Sequence, residues 1–156
     1  MGIISAMTLP PRHTRYQAAI MIGSQLLLIR HEENQGRWTY WLLPGGGRED
    51  GESEEECVLR EMREETGLEV RIERLLEEHD STYPNPFYAH YKTYLCTPIS
   101  GEAQPGYEPE IEASSVYKIA EVRWVDVWDT STWDARISAD PITSANLAII
   151  QQALRS

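Results

Sequence analysis

The chain has 156 residues, of which 41% are hydrophobic and 25% are charged, values typical of one soluble globular domain. Its formal charge of −11 at pH 7 argues against a nucleic acid polymer or a membrane surface as a partner, because both are anionic. No apolar run approaches the roughly 20 residues that a membrane helix needs, and the two cysteines, Cys57 and Cys96, are expected to be free thiols of a cytoplasmic protein.

The first predicted elements are an N-terminal arm and a β-hairpin. Residues 1–14 lack the basic head of a signal peptide and contain two successive prolines, so we expect a flexible arm before a single domain of residues 15–156. The β-type runs Gln17–Ile22 and Gln25–Arg30 are separated by a Gly-Ser pair, which predicts a hairpin turn. The second run does not alternate, so we expect it to be covered on both faces.

A polar loop, His31–Gly36, and an aromatic strand, Arg37–Leu43, lead into a glycine-rich turn. This turn, Pro44–Gly47, contains three successive glycines. Glycine can adopt a positive φ and lets another group approach the backbone closely. We therefore expect a turn that a side chain would obstruct.

A helix is predicted directly after this turn. Ser53 begins it, and Glu56 stands three residues later as the partner of a capping box. The helix is expected to run to about Thr66 and to stop at Gly67, which favours a left-handed cap. The remaining predicted elements are strands at Glu69–Glu78, Phe87–Thr97 and Glu121–Val127, a surface loop at Ser100–Ser115, and a helix at Thr143–Leu154.

The predicted helix concentrates negative charge beside its apolar face. Glu61, Glu64 and Glu65 are spaced as neighbours on a helix surface, where each like-charge pair costs about 0.2–0.5 kcal/mol. Arg60 and Arg63 could neutralise these carboxylates. A hard divalent cation could do so as well, because Mg²⁺ and Mn²⁺ prefer carboxylate and carbonyl oxygens. The residues alone leave both interpretations open.

The segment from the glycine turn to the end of the helix resembles the Nudix box, G-x5-E-x7-R-E-U-x-E-E-x-G-U, in which U is a bulky aliphatic residue. The positions of the box are filled by Gly46, Glu52, Arg60, Glu61, Met62, Glu64, Glu65, Gly67 and Leu68. The resemblance implies an α/β fold of a single domain, in which a mixed, curved β-sheet is sandwiched between helices (α/β/α). It also implies a hydrolase that needs Mg²⁺ or Mn²⁺ and cleaves a diphosphate linkage in a nucleotide-like small molecule, releasing a nucleoside monophosphate.

The same resemblance implies roles for individual residues. The implied metal ligands are Glu61, Glu64, Glu65 and the main-chain carbonyl of Gly46 or Gly45. Glu61 is similar to a residue that acts as ligand or general base, Arg60 to the arginine that orients the carboxylates, and Glu52 to a supporting residue near the metal. A further acidic residue is expected from a loop after the box, where the candidates are Glu108, Glu110 and Glu112, with Glu110 preferred slightly.

Candidates for substrate contact are aromatic residues before and after the box. Trp38, Tyr40 and Trp41 could stack on a base, although aromatic residues in strands often belong to the core. Tyr83 lies in a region that separates some groups of the family, but it is followed by Pro84, so markers of ADP-ribose and dinucleoside polyphosphate specificity both occur. Substrate identity therefore stays open.

Two other functions share the expected fold. A nucleotide sensor without catalytic activity typically lacks box glutamates, and here all are present. An isoprenoid diphosphate isomerase needs a catalytic cysteine near a strand end, which neither Cys57 nor Cys96 supplies by its place in the sequence. Homodimers are frequent among similar proteins, which makes a homodimer the candidate assembly.

Overall fold

The structure is a computed structural model that describes residues 13–33, 35–81, 87–106 and 117–156. Its elements in chain order are β1 (Thr14–Ile22), β2 (Gln25–Glu33), β3 (Trp38–Leu42), β4 (Gly45–Gly46), α1 (Glu54–Thr66), β5 (Glu69–Asp80), β6 (His90–Ser100), β7 (Tyr117–Asp126), α2 (Ala135–Ala139) and α3 (Pro141–Arg155). A short 3-10 turn, Thr130–Thr132, precedes α2. None of the helices in these ranges combines the length and the apolar character that crossing a bilayer requires.

The strands form one mixed sheet. Strand β1 pairs in parallel with β6 and antiparallel with β4, and β5 pairs antiparallel with β6. Strand β2 continues the sheet from the β1–β2 hairpin and pairs antiparallel with β3 and β7. A long, non-local connection is required for the parallel pair β1–β6, and α1 lies within it.

The sheet separates two hydrophobic cores. Side chains alternate along a strand, so Ala18 and Ile20 of β1 pack in the core beneath α1, whereas Ala19 packs in a second core. That second core also contains Leu147 and Ile150 of α3. Helices therefore cover both faces of the sheet, which confirms the expected α/β/α arrangement in one domain.

The predicted hairpin is present, and its second strand is longer than predicted. Gly23 has a φ of +59°, as the turn requires, and the apolar run from Leu26 to Ile29 is fully buried. The loop predicted at His31–Gly36 starts too early, because β2 continues to Glu33, and residues 35 and 36 lie in a turn. The polar residues of this end of β2 pair with β3 on one side and β7 on the other, and the imidazole of His31 is buried.

Most other predicted elements are confirmed with shifted ends. Strand β1 begins at Thr14, the last residue of the expected arm, and the rest of that arm lies outside the described residues apart from His13. Helix α3 begins at Pro141, earlier than predicted, because Asp140 accepts hydrogen bonds from the main-chain N–H groups of the first turn. Helix α2 was not predicted. Cys57 and Cys96 are both free, as expected, and both are buried.

A histidine near the start of β6 predicts a pH-dependent contribution to stability. The His90 ring hydrogen-bonds to Asp80 through Nδ1 at 2.8 Å and to Glu78 through Nε2 at 2.9 Å. These two bonds, the first above all, raise the pKa of His90 above its ordinary value of 6.5. The protonated ring therefore stabilises the folded state below about pH 6.5, and this stabilisation is lost as the pH rises through the raised pKa.

We expect the substitution His90→Gln to lower the melting temperature by about 1–4 °C below pH 6.5 and by less at higher pH. Thermal unfolding of both proteins between about pH 5.5 and pH 9 measures the difference. A difference that does not change with pH would show that protonation of the ring does not contribute.

Candidate active site

Helix α1 is bounded as its sequence predicts. The Ser53 side chain accepts a hydrogen bond from the Glu56 N–H, and the Glu56 carboxylate accepts one from the Ser53 N–H, which completes the capping box. Gly67 ends the helix with a φ of +77°. Beyond β6, the Gln104 N–H donates to Thr66 O and the Gly106 N–H donates to Glu65 O, so the final carbonyls of α1 are covered by the following chain.

The glycine turn lies between β1 and α1 and touches both. A Cβ atom at Gly45 would overlap the carbonyl oxygen of Tyr16, and a Cβ atom at Gly46 would overlap Glu61 Oε1. Both separations would be far below ordinary contact distances. The requirement for glycine in this turn therefore comes from close approach, since neither residue has a positive φ.

The substitution Gly46→Ala is expected to displace the Glu61 carboxylate. The added methyl group would overlap this buried side chain, and overpacking of this kind typically costs about 1–3 kcal/mol. We expect a lower melting temperature together with weaker divalent cation binding, measured by thermal unfolding and titration calorimetry. Gly51→Ala is the control for cation affinity: no atom lies within 4 Å of a Cβ there, and its φ of +79° strains the backbone, so we expect a lower melting temperature without weaker cation binding. Equal cation affinity in wild type and Gly46→Ala would show that the Glu61 position is unimportant.

Arg60 lies at the centre of the carboxylates. Its Nε and Nη2 atoms donate to the two oxygens of Glu52 at 2.7 and 3.0 Å. Its Nη1 atom donates to Glu61 Oε1 at 3.0 Å and to Glu64 Oε1 at 3.2 Å. The bond to Arg60 is the main reason that the pKa of Glu52 is lowered, and the same bond raises the pKa of Arg60. One guanidinium thus holds three glutamates of the helix and the preceding loop in a single arrangement.

Two of the carboxylates are buried. Glu61 is 2% exposed and lies against Gly46, and Glu65 is fully buried. The Gly45 N–H donates to Glu65 Oε1 at 2.8 Å. The glycine turn therefore contacts the helix at Glu61 and at Glu65. Glu64 is more accessible, with 16% of its side chain exposed. The site is therefore a cluster of carboxylates that is buried at Glu61 and Glu65 and accessible to solvent at Glu64.

The chemistry of these donors fits a hard divalent cation. Glu61, Glu64 and Glu65 supply carboxylate oxygens, and Glu61 and Glu64 already converge on one positively charged nitrogen, Arg60 Nη1. Within the described ranges no three His, Cys, Asp or Glu side chains are arranged as a ready metal site. The sequence left arginine side chains and a divalent cation as alternative partners of these carboxylates. In the structure Arg60 pairs with Glu61 and Glu64, whereas Arg63 pairs with Glu69 at the end of the helix.

The aromatic residues predicted to contact substrate differ in their exposure to solvent. Trp38 is 61% exposed on β3, and the Tyr40 hydroxyl lies 3.3 Å from His31 Nδ1. Trp41 is a core residue, 2% exposed, with the guanidinium groups of Arg30 and Arg123 over its ring. Trp41 thus belongs to the second hydrophobic core, and its contact with substrate stays an untested prediction.

The remaining candidates, Tyr83, Glu108, Glu110 and Glu112, lie outside the described residues and stay predictions.

Residues that the sequence did not single out also shape the site. Arg15 of β1 is buried, and its Nη2 atom donates to the carbonyl oxygen of Leu43 at 2.9 Å, directly before the glycine turn. Lys92 and Tyr94 of β6 both contact Glu54 in the first turn of α1. The signal for Arg15 is a charged residue in an otherwise buried strand, but its partner is visible only in the tertiary structure.

Comparison with known proteins identifies the family. The family model of the NUDIX domain matches residues 12–145, so the chain belongs to the NUDIX family. The crystal structure of an ADP-ribose pyrophosphatase from Streptococcus suis superposes with a TM-score of 0.62 at 26% identity and covers 93% of each chain. The expected fold is thereby confirmed.

Curated relatives match part of their own length. The chain is 32% identical over 96 residues to the putative ADP-ribose pyrophosphatase YjhB of Bacillus subtilis, a match covering 59% of this chain and 44% of that protein. It is 40% identical over 84 residues to the ADP-ribose pyrophosphatase of Methanocaldococcus jannaschii, covering 53% and 49%. The chain thus spans about half the length of the curated relatives that it matches.

Proposed function

We propose that the chain is a diphosphohydrolase that needs Mg²⁺ or Mn²⁺. Its substrate is a nucleoside diphosphate joined to another group, and its products are a nucleoside monophosphate and a second phosphorylated fragment. The observation that carries the proposal is the convergence of Glu61 and Glu64 on Arg60 Nη1, beside the glycine turn that Glu61 and Glu65 touch.

The proposed role of the carboxylates is to hold the cation. A bound divalent cation neutralises the charge of a diphosphate and acidifies a bound water. In the proposal Glu61, Glu64 and Glu65 are its side-chain ligands, together with the Gly46 carbonyl. Arg60 and Glu52 orient these ligands, because Arg60 reaches Glu52, Glu61 and Glu64 at once. The acidic protein can then accept an anionic substrate.

Glu61 is also the proposed general base. Its carboxylate is held between Arg60 Nη1 and the glycine turn, so it is oriented before substrate binds. A carboxylate that accepts the proton of the attacking water contributes about 10²–10⁴-fold to a hydrolysis rate. Glu110 stays the proposed additional acidic residue, to be tested by Glu110→Gln.

The substrate proposed for the first test is ADP-ribose. It is supported by two relatives that are named as an ADP-ribose pyrophosphatase and a putative one. The match covers about half of the length of each relative. Hydrolysis of the P–O–P linkage adds one water and yields AMP and ribose 5-phosphate. Trp38 is the proposed base contact on β3, since most of its ring is open to solvent, and Tyr40 and Tyr83 stay secondary candidates.

The decisive experiment is a substrate panel with and without Mg²⁺. The purified chain is incubated with ADP-ribose, nucleotide sugars, dinucleoside polyphosphates and nucleoside triphosphates, and the products are separated by chromatography. We expect Mg²⁺-dependent release of a nucleoside monophosphate, with ADP-ribose cleaved fastest. Binding of one compound without cleavage of any would contradict the proposal and favour a sensor.

We also propose a cytoplasmic location and a homodimeric assembly, with no nucleic acid polymer or membrane as partner. Two buried free thiols support the first, and the charge of −11 supports the absence of a nucleic acid polymer or a membrane as partner. Light scattering of the purified chain tests the assembly.

A further inference from the structure

Glu54, in the first turn of α1, is held apart from the carboxylates that contact Arg60. Its Oε1 atom lies 2.7 Å from Lys92 Nζ and accepts a hydrogen bond from the Tyr94 hydroxyl at 2.6 Å. Lys92 and Tyr94 are alternate residues of β6 and therefore project from the same face of the sheet. The first turn of the helix is thus attached to β6 by two side chains that meet on one carboxylate oxygen.

A second contact between this face of α1 and the sheet lies two turns later, at Glu61. Glu54 and Glu61 are seven residues apart, so they project from the same side of α1. Glu61 lies against Gly46, where a Cβ atom would overlap its carboxylate. The residues between them, Cys57 and Val58, are fully buried in the core that this face covers.

Both attachments fall on one row of paired residues in the sheet. Tyr16 of β1 pairs with Lys92 of β6 on one side and with Gly46 of β4 on the other. Tyr16 itself belongs to the core beneath the helix. The helix face therefore contacts Lys92 at one end of this row, through Glu54, and Gly46 at the other end, through Glu61. Hydrogen-bonded strands keep the two ends of the row at a constant separation.

We propose that Lys92 is a positioning residue for the carboxylate site. By holding Glu54 it sets where α1 rests on the row Lys92–Tyr16–Gly46, and it thereby sets the place of Glu61 against the glycine turn. Lys92 acts through Glu54 and the helix and touches none of the carboxylates that Arg60 binds. The inference deepens the proposed function and rests on it for the consequence for catalysis, whereas its structural part can be tested independently.

Lys92→Met tests the proposal, because it keeps most of the aliphatic stem and removes the charge, leaving the Tyr94–Glu54 hydrogen bond. We expect faster amide hydrogen exchange in the first two turns of α1, by about two- to fivefold, since exposed ion pairs have effects of this size. We also expect Mn²⁺, titrated without substrate, to bind more weakly by a similar factor of about two to five. The rescue variant Lys92→Arg retains the charge and should restore both values.

Arg71→Met is the matched control. It removes an ion pair of similar length, 2.8 Å to Glu73, from the exposed side of β5 away from α1. We expect it to leave helix exchange and Mn²⁺ affinity unchanged. Unaltered exchange in Lys92→Met, equal loss in Lys92→Arg, or equal loss in Arg71→Met would each overturn the positioning role. If wild type hydrolyses no diphosphate while Lys92→Met still loosens the helix, the proposed function fails and the attachment stands.

Discussion

Glu64→Gln is expected to lower kcat for diphosphate hydrolysis by about 100-fold or more at saturating Mg²⁺. Glu64 is the most accessible of the three proposed side-chain ligands, with 16% of its side chain exposed, and the substitution removes one negative charge at almost constant shape. Loss of a group that only supports a metal ligand already costs about 10–100-fold, so loss of a ligand should cost at least as much. The measurement is the steady-state rate as a function of Mg²⁺ concentration.

The fold should survive this change. A glutamine amide oxygen can still accept a hydrogen bond from Arg60 Nη1, so we expect the melting temperature to change by less than about 3 °C. Glu69→Gln is the matched control, because Glu69 pairs with Arg63 at the exposed end of the same helix. Near-normal turnover of Glu64→Gln at high Mg²⁺ would remove Glu64 from the ligand set.

Arg60→Met is expected to have the largest effect on stability. Its guanidinium donates hydrogen bonds to three glutamates, one of which, Glu61, is 2% exposed. Removing one partner of a buried ion pair leaves a charge uncompensated and costs about 3–5 kcal/mol. For a chain of this size the melting temperature should therefore fall by about 6–20 °C, which calorimetry measures.

Arg60→Met also tests whether a divalent cation, and not only an arginine, neutralises these carboxylates. If a divalent cation binds these carboxylates, millimolar Mg²⁺ should restore part of the lost melting temperature of Arg60→Met, because binding to the folded state alone stabilises it. Arg63→Met, in which a solvent-exposed pair is lost, should change stability by less than about 1 kcal/mol. A melting temperature of Arg60→Met that is indifferent to Mg²⁺ would argue against the cation.

Much of α1 could be predicted because the information is local. Ser53 and Glu56 cap the helix within one turn, and Gly67 ends it through its own backbone conformation. The clustering of glutamates is also local, since helical spacing alone makes Glu61, Glu64 and Glu65 neighbours. Periodicity along a strand likewise predicted the buried run of β2, because its residues are apolar without alternation.

Predictions failed where the partner of a residue lies far away in the chain. The polar residues at the end of β2 read as a loop, but β3 and β7 pair with them from both sides. The sequence also could not show that Trp41 belongs to the second core, with the guanidinium groups of Arg30 and Arg123 over its ring. Local composition cannot show which neighbour a long-range fold brings to a side chain.

By itself, the sequence determined the chemistry available to this protein: a capped helix rich in carboxylates, a turn of glycines before it, and the box that joins them. The tertiary structure alone decided how these parts meet. It placed Glu61 against Gly46, gave Arg60 three carboxylates to hold, and attached Glu54 to Lys92 across the row through Tyr16. The physical reason is that spacing along a helix specifies which side chains share a face, whereas the pairing of distant strands specifies what that face touches.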